Sequence, residues 1–149
     1  LLSKTEREDP LSAFSSRLND PDLKIRQEAA EVWSSYEESC SMLLPTKQNL
    51  KLSISQSQML ALARIEVHYF SHQNFLRPNI LLDEIAAISR KRAFIIQGRY
   101  DVVCPPTTAH ELHQRWPESE LKIAPFSGHS AFEEEITDLL IETTNNFSK

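Results

Sequence analysis

Glycine is nearly missing from this chain: its 149 residues include two, Gly98 and Gly128. Cysteine is as scarce. Cys40 and Cys104 form no metal-ligand spacing, and two isolated thiols fit a reducing cytosol, with a single disulfide as the other option. No apolar run approaches the ~20 residues of a membrane span, and no signal-peptide pattern is visible. A basic footprint is lacking too. The net charge is −5 with both signs interspersed, which argues against nucleic acid and anionic membrane as partners. There are no repeats and no low-complexity segments. The chain also lacks an initiator methionine. It begins Leu1-Leu2-Ser3-Lys4, as if in mid-helix, and is expected to be a piece of something longer. The remainder is ordinary for a globular domain, with 40% apolar and 25% charged residues on a length that can bury a core.

The two glycines mark the informative stretches. In Phe94-Ile95-Ile96-Gln97-Gly98-Arg99-Tyr100-Asp101-Val102-Val103-Cys104-Pro105-Pro106, a short apolar run ends in a glycine turn, and a proline pair opens the next segment. Phe94 to Gln97 reads as a buried parallel strand centred on Ile95 and Ile96. The prolines suit a first helical turn. Asp101 therefore stands on the loop at the carboxyl end of a strand, where open α/β sheets place working residues. A second apolar run, Leu121 to Ala124, leads into Phe126-Ser127-Gly128-His129-Ser130-Ala131 and then a helical pattern to Phe147. Acid followed by histidine, each beside a glycine at a strand end, matches the last two members of the Ser…Asp…His order of α/β-hydrolases.

The rest of the chain supplies the architecture. Asp9-Pro10 starts a helix carrying Leu11, Phe14 and Leu18. In Asn19-Asp20-Pro21-Asp22, Asp20 is the expected cap and Pro21 the first helical residue. A long helix from Leu23 to Cys40 is expected to bury Ile25, Ala29, Val32, Trp33 and Tyr36, and Met42-Leu43-Leu44-Pro45 ends it. Residues 46–55 read as a polar loop. Gln56 to Phe70 reads as a helix burying Met59, Leu60, Ala63, Val67 and Phe70, and Asn79 to Ile88 as a short one. From Phe94 the pattern is strand, helix (Pro105 to Arg115), strand (Glu120 to Ala124) and helix (Ala131 to Phe147), the last with Ile136, Leu139, Leu140 and Phe147 inward. Glu133-Glu134-Glu135 favours that helix's N-terminus through the macrodipole and needs no partner. His68 and His72 have the i, i+4 spacing of a metal pair but no third ligand, so no metal is expected. The fold class is α/β: a helical module over residues 1–80 joined to the C-terminal part of an α/β sheet over 81–149.

Four blocks carry a resemblance to a known family. They are Arg17-Leu18 with Ala30-Glu31-Val32-Trp33-Ser34-Ser35-Tyr36-Glu37; Leu62-Ala63-Arg64-Ile65-Glu66-Val67-His68-Tyr69-Phe70; Gln97-Gly98-Arg99-Tyr100-Asp101-Val102-Val103-Cys104-Pro105; and Ser127-Gly128-His129-Ser130-Ala131. Together they resemble proline iminopeptidase (prolyl aminopeptidase), an α/β-hydrolase with an α-helical cap. The resemblance implies that 1–80 is most of the cap and 81–149 closes the sheet. It implies Asp101 as triad acid and His129 as general base, with no cofactor. It places Glu37 and Glu66 where cap glutamates bind the free N-terminal amine of a peptide beginning with proline. A dry carboxylate pair holds an ammonium group by charge-assisted hydrogen bonds. Tyr36, Tyr69 and Phe70 are candidates for the wall around the proline ring. Cys104 matches a cysteine beside the active site.

The chain departs from the family in what it lacks. With glycines only at 98 and 128, no Gly-x-Ser-x-Gly nucleophile elbow exists, and there is no His-Gly-Gly oxyanion segment. Both precede the cap in this family, so the N-terminal half of the hydrolase domain is the expected missing partner. Tyr36 stands where tryptophan is usual, and Val67 where asparagine is usual. The expected function is a cytoplasmic serine aminopeptidase that releases N-terminal proline, inactive as this chain alone. The alternative is a truncated, non-catalytic paralogue acting as an interaction protein. Two strands without the rest of their sheet leave an open edge, which favours self-association or pairing with a complementary half. Another capped hydrolase, such as an esterase or epoxide hydrolase, is disfavoured by the Glu37 and Glu66 blocks.

Overall fold

The computed structural model describes residues 2–44 and 54–147. The chain divides into two compact units, Leu1–Ser39 with Thr46–Arg77, and Cys40–Pro45 with Pro78–Lys149.

The first unit is helical. Helix α1 (Pro10–Leu18) opens on Asp9, whose carboxylate accepts the Ser12 N–H, with Pro10 in the first turn. Helix α2 spans Leu23–Ser41. Its entry differs from the sequence expectation: Pro21 lies outside the helix, Asp20 accepts the Asp22 N–H, and Asp22 rather than Asp20 caps by accepting the Lys24 N–H. Helix α3 (Gln56–Ser71) begins with a reciprocal capping box between Ser55 and Gln58. The expected loop lies outside the described residues over 46–53.

Leu18, Ala29, Ala30, Ala63 and Val67 form the core of this unit, flanked by Leu11, Phe14, Trp33, Met59 and Leu60. Burying Leu18 completely contributes about 1.5–3 kcal/mol. The buried stripe of α2 runs through Ala29, Ala30 and Ser34, whereas Val32 and Tyr36, expected inside, are exposed. Ala29, Ala30 and Ser34 are small, so the buried stripe follows size rather than hydrophobicity. Phe70 of α3 is likewise half exposed. After α3, Gln73, Asn74 and Phe75 all have positive φ, near 51–56°. This left-handed turn lies under a ring stack in which Phe75 lies 4.9 Å from His72, nearly parallel.

The second unit carries the sheet. Helix α4 (Ile80–Asp83) and a single turn at Ile85–Ala87 replace the one short helix expected there. Strand β1 (Ala93–Gly98), helix α5 (Pro106–Arg115), strand β2 (Ser119–Ala124) and helix α6 (Glu134–Phe147) follow. The strands pair in parallel, from Ala93 opposite Ser119 to Gly98 opposite Ala124, with α5 as the crossover. Burial rises along β1 to Gln97 and Gly98, while Ile95 and Ile96 are partly covered. On α6, Ile136 is buried but Leu140 and Phe147 are exposed, contrary to the periodicity. Both strands therefore bury their carboxyl ends most deeply, and the two glycine loops begin there.

Candidate active site

Gly98 and Gly128 meet. A Cβ on Gly98 would stand 1.8 Å from the Gly128 carbonyl oxygen. The crossing therefore needs a residue without a side chain at 98. The backbone continues the ladder beyond the strands: Arg99 N donates to Ala124 O at 2.9 Å and Tyr100 N to Ser127 O at 3.0 Å. This pairing sets Asp101 against the residue that follows Gly128.

Asp101 Oδ2 accepts from His129 Nδ1 at 2.9 Å. Its Oδ1 accepts the N–H groups of Val103 (2.9 Å) and Cys104 (2.8 Å). Gln97 Nε2 adds a longer contact to Oδ2 at 3.3 Å and also donates to the carbonyls of Gly98 and Cys104. The acid is thus held from four donors in a buried position. Its side chain is 6% exposed, against 39% for the imidazole. A carboxylate that only accepts fixes the proton of a neutral His129 on Nδ1, leaving Nε2 as an acceptor on the exposed side. An imidazole so held can take a proton at Nε2.

The histidine loop is anchored from two directions. His129 N and Ser130 N both donate to Ser41 O at 2.8 Å. Glu133 accepts from Leu43 N (2.6 Å) and, through its other oxygen, from Gly128 N. Glu135 accepts from Phe126 N and Ser127 Oγ. The expectation that this acidic run needs no partner is therefore corrected: Glu134 and Glu135 do open α6, but two of the three carboxylates bind loop N–H groups. Sequence reasoning missed Gln97, Ser41, Glu133 and Glu135. The one available signal was that a glycine loop exposes backbone donors that need acceptors nearby.

In the helical unit, Glu66 Oε2 accepts from the Trp33 indole N–H at 2.6 Å. Trp33 lies one turn before Glu37 on α2, so Glu37 and the Trp33–Glu66 bond share one face of that helix. Phe14, Val32, Trp33 and Tyr36 help line an open apolar cavity of about 490 Å³. Phe70 lies 6.3 Å from Trp33, whereas Tyr69 turns to Phe75 and His68. His68 and His72 have ring centroids 4.6 Å apart, with His72 Nδ1 against the His68 carbonyl. No group of three metal-ligating side chains occurs among the described residues.

Cys104 is exposed, but partial desolvation, reinforced by the negative charge of Asp101, pushes its thiol above the ordinary value. The neutral thiol therefore persists to higher pH, and reactive thiolate appears only above the usual range. Alkylation of Cys104 by iodoacetamide is expected to be slow near pH 8 and to climb as pH rises. Asp101→Asn removes the charge and should raise the rate at pH 8 several-fold. Mass spectrometry of the Cys104 peptide reads this directly, and an unchanged rate would contradict the contribution of Asp101.

The fold is the C-terminal part of an α/β-hydrolase carrying a helical cap. An esterase from Exiguobacterium antarcticum superposes with a TM-score of 0.59 over 95% of this chain and 48% of that one, at 17% sequence identity. The chain belongs to the proline iminopeptidase family, matching the C-terminal part of its members. It is 40% identical to a proline iminopeptidase of Xylella fastidiosa over 99% of its own length and 47% of the relative's. It is 41% identical to one of Arabidopsis thaliana over 95% of its own length and 38% of the relative's. The chain thus spans about half the length of the curated relatives it matches, or less. No protein-family model matches the sequence. No described helix is long and apolar enough to cross a membrane.

Proposed function

We propose that this chain provides the acid, the base and the amine-recognising cap of a serine aminopeptidase that releases N-terminal proline, with the nucleophilic serine outside these 149 residues. The observation that carries the reading is the buried Asp101 carboxylate on His129 Nδ1, with Nε2 unpartnered among the described residues. In this reading Nε2 takes the serine proton as the acyl-enzyme forms and returns it to the leaving amine, while Asp101 stabilises the imidazolium. Residues 1–80 act as the cap and 81–149 as the end of the catalytic sheet. Glu37 and Glu66 bind the substrate's ammonium group, and the Trp33–Glu66 bond supports this by fixing one carboxylate beside an apolar wall. Tyr36, Tyr69 and Phe70 contribute to the ring pocket, and Cys104 borders the acid.

The 149-residue chain alone is expected not to hydrolyse a proline anilide. Joined to a segment completing the hydrolase domain, it should cleave the free prolyl substrate and spare the N-acylated one. Turnover that survives His129→Ala in the completed enzyme would overturn the assignment.

A further inference from the structure

Loop Phe126–Ser130 carries the histidine, and its backbone N–H groups find acceptors outside the loop. Phe126 N donates to Glu135 Oε2, Gly128 N to Glu133 Oε2, and His129 N and Ser130 N to Ser41 O. Among these acceptors Glu133 is distinctive. Its other oxygen accepts Leu43 N at 2.6 Å, so one carboxylate ties the residue before His129 to the segment that supplies the Ser41 carbonyl. Gly128 is packed onto the same segment, where a Cβ would stand 2.9 Å from Leu43 N and 3.2 Å from Ser41 O. Glu133 and Ser41 therefore both bind the backbone of the histidine loop, and Glu133 does so without a hydrogen bond to the imidazole.

We propose that Glu133 is a positioning residue for His129: by bridging Gly128 N and Leu43 N it sets the loop at the height that keeps His129 Nδ1 on Asp101. This rests on the reading of His129 as the general base. The side-chain chemistry is specific. Both partners are N–H donors, so two acceptor oxygens are required. Glutamine has one oxygen, and its NH2 would face a donor. Aspartate is one methylene too short to reach both. The buried N–H left without an acceptor drives the loop to rearrange.

Two-bond ¹H–¹⁵N correlation spectra of the full chain, taken where imidazole is neutral, report which ring nitrogen of His129 carries the proton. The native chain is expected to show the Nδ1–H form. Glu133→Gln should shift the balance toward the Nε2–H form by about tenfold, the scale of one charge-assisted hydrogen bond. Phe94→Ala, which removes the Phe94–Phe147 ring contact near the amino end of β1, far along the strand from these bonds, serves as a destabilised control that should keep the native tautomer. Glu133→Asp, which retains the charge, should behave like Glu133→Gln and covers the case in which the amide variant fails to fold. The proposal is overturned if either folded Glu133 variant keeps the native tautomer ratio, or if Phe94→Ala loses it equally. Failure of the hydrolase reading would show separately, as turnover of the completed enzyme that survives His129→Ala while the tautomer result stands.

Discussion

Gly98→Ala is expected to lower the melting temperature by roughly 6–12 °C, because overpacking of this severity costs about 3 kcal/mol in a chain of this size. The new Cβ would lie 1.8 Å from the Gly128 oxygen and 2.8 Å from both the Gly128 carbon and the Ser127 oxygen. All three are backbone atoms, so no side chain can rotate away. The loops must part by more than an ångström. That breaks the Tyr100–Ser127 bond and draws Asp101 from His129. Gly128→Ala meets a milder obstruction, 2.9 Å from Leu43 N, and should cost less. Circular-dichroism melts of both variants, with the His129 tautomer as a second readout, test the ranking. A Gly98→Ala chain with native melting and the Nδ1–H tautomer would refute the crossing.

The second large effect concerns Asp101→Asn in the completed hydrolase, where kcat should fall by about 10⁴-fold with KM little changed. The direction follows from the donors around the carboxylate. Val103 N and Cys104 N both require an acceptor at the Oδ1 position, so the asparagine oxygen must stay there. Its NH2 then replaces Oδ2 and faces His129 Nδ1. The imidazole responds by accepting at Nδ1 and carrying its proton on Nε2. A protonated Nε2 cannot take the serine proton. Steady-state kinetics on a prolyl anilide measure the loss, and a variant retaining a tenth of native kcat would exclude this role for Asp101.

How far the sequence discloses this arrangement depends on which contacts are local. Strand β1, its glycine and Asp101 are legible because a short apolar run, a lone glycine and a proline pair occur within thirteen consecutive residues. The buried stripe of α2 is not. Ala29, Ala30 and Ser34 carry little hydrophobic signal, and Val32 and Tyr36 outweigh them in any periodicity count although the structure exposes both. The Asp101–His129 pairing is suggested by two glycines in a glycine-poor chain, but its geometry comes from the Arg99–Ala124 and Tyr100–Ser127 bonds, which no pattern encodes. Glu133 is the least legible residue. An acidic run at a helix start has a sufficient local explanation, and its second partner, Leu43, is 90 residues away.

That 90-residue span also orders events in time. Strands β1 and β2 are separated by a single helix, so their pairing closes a short loop and can nucleate early. The bond from Glu133 to Leu43 closes a far longer loop, and its entropy must be met before any reward arrives. The sheet therefore forms first and the histidine loop is clasped last. By the same reasoning the clasp is expected to open before β1 and β2 separate, through a partial unfolding that leaves the strands paired. The unit can thus lose its Asp101–His129 geometry and regain it without ever unfolding as a whole.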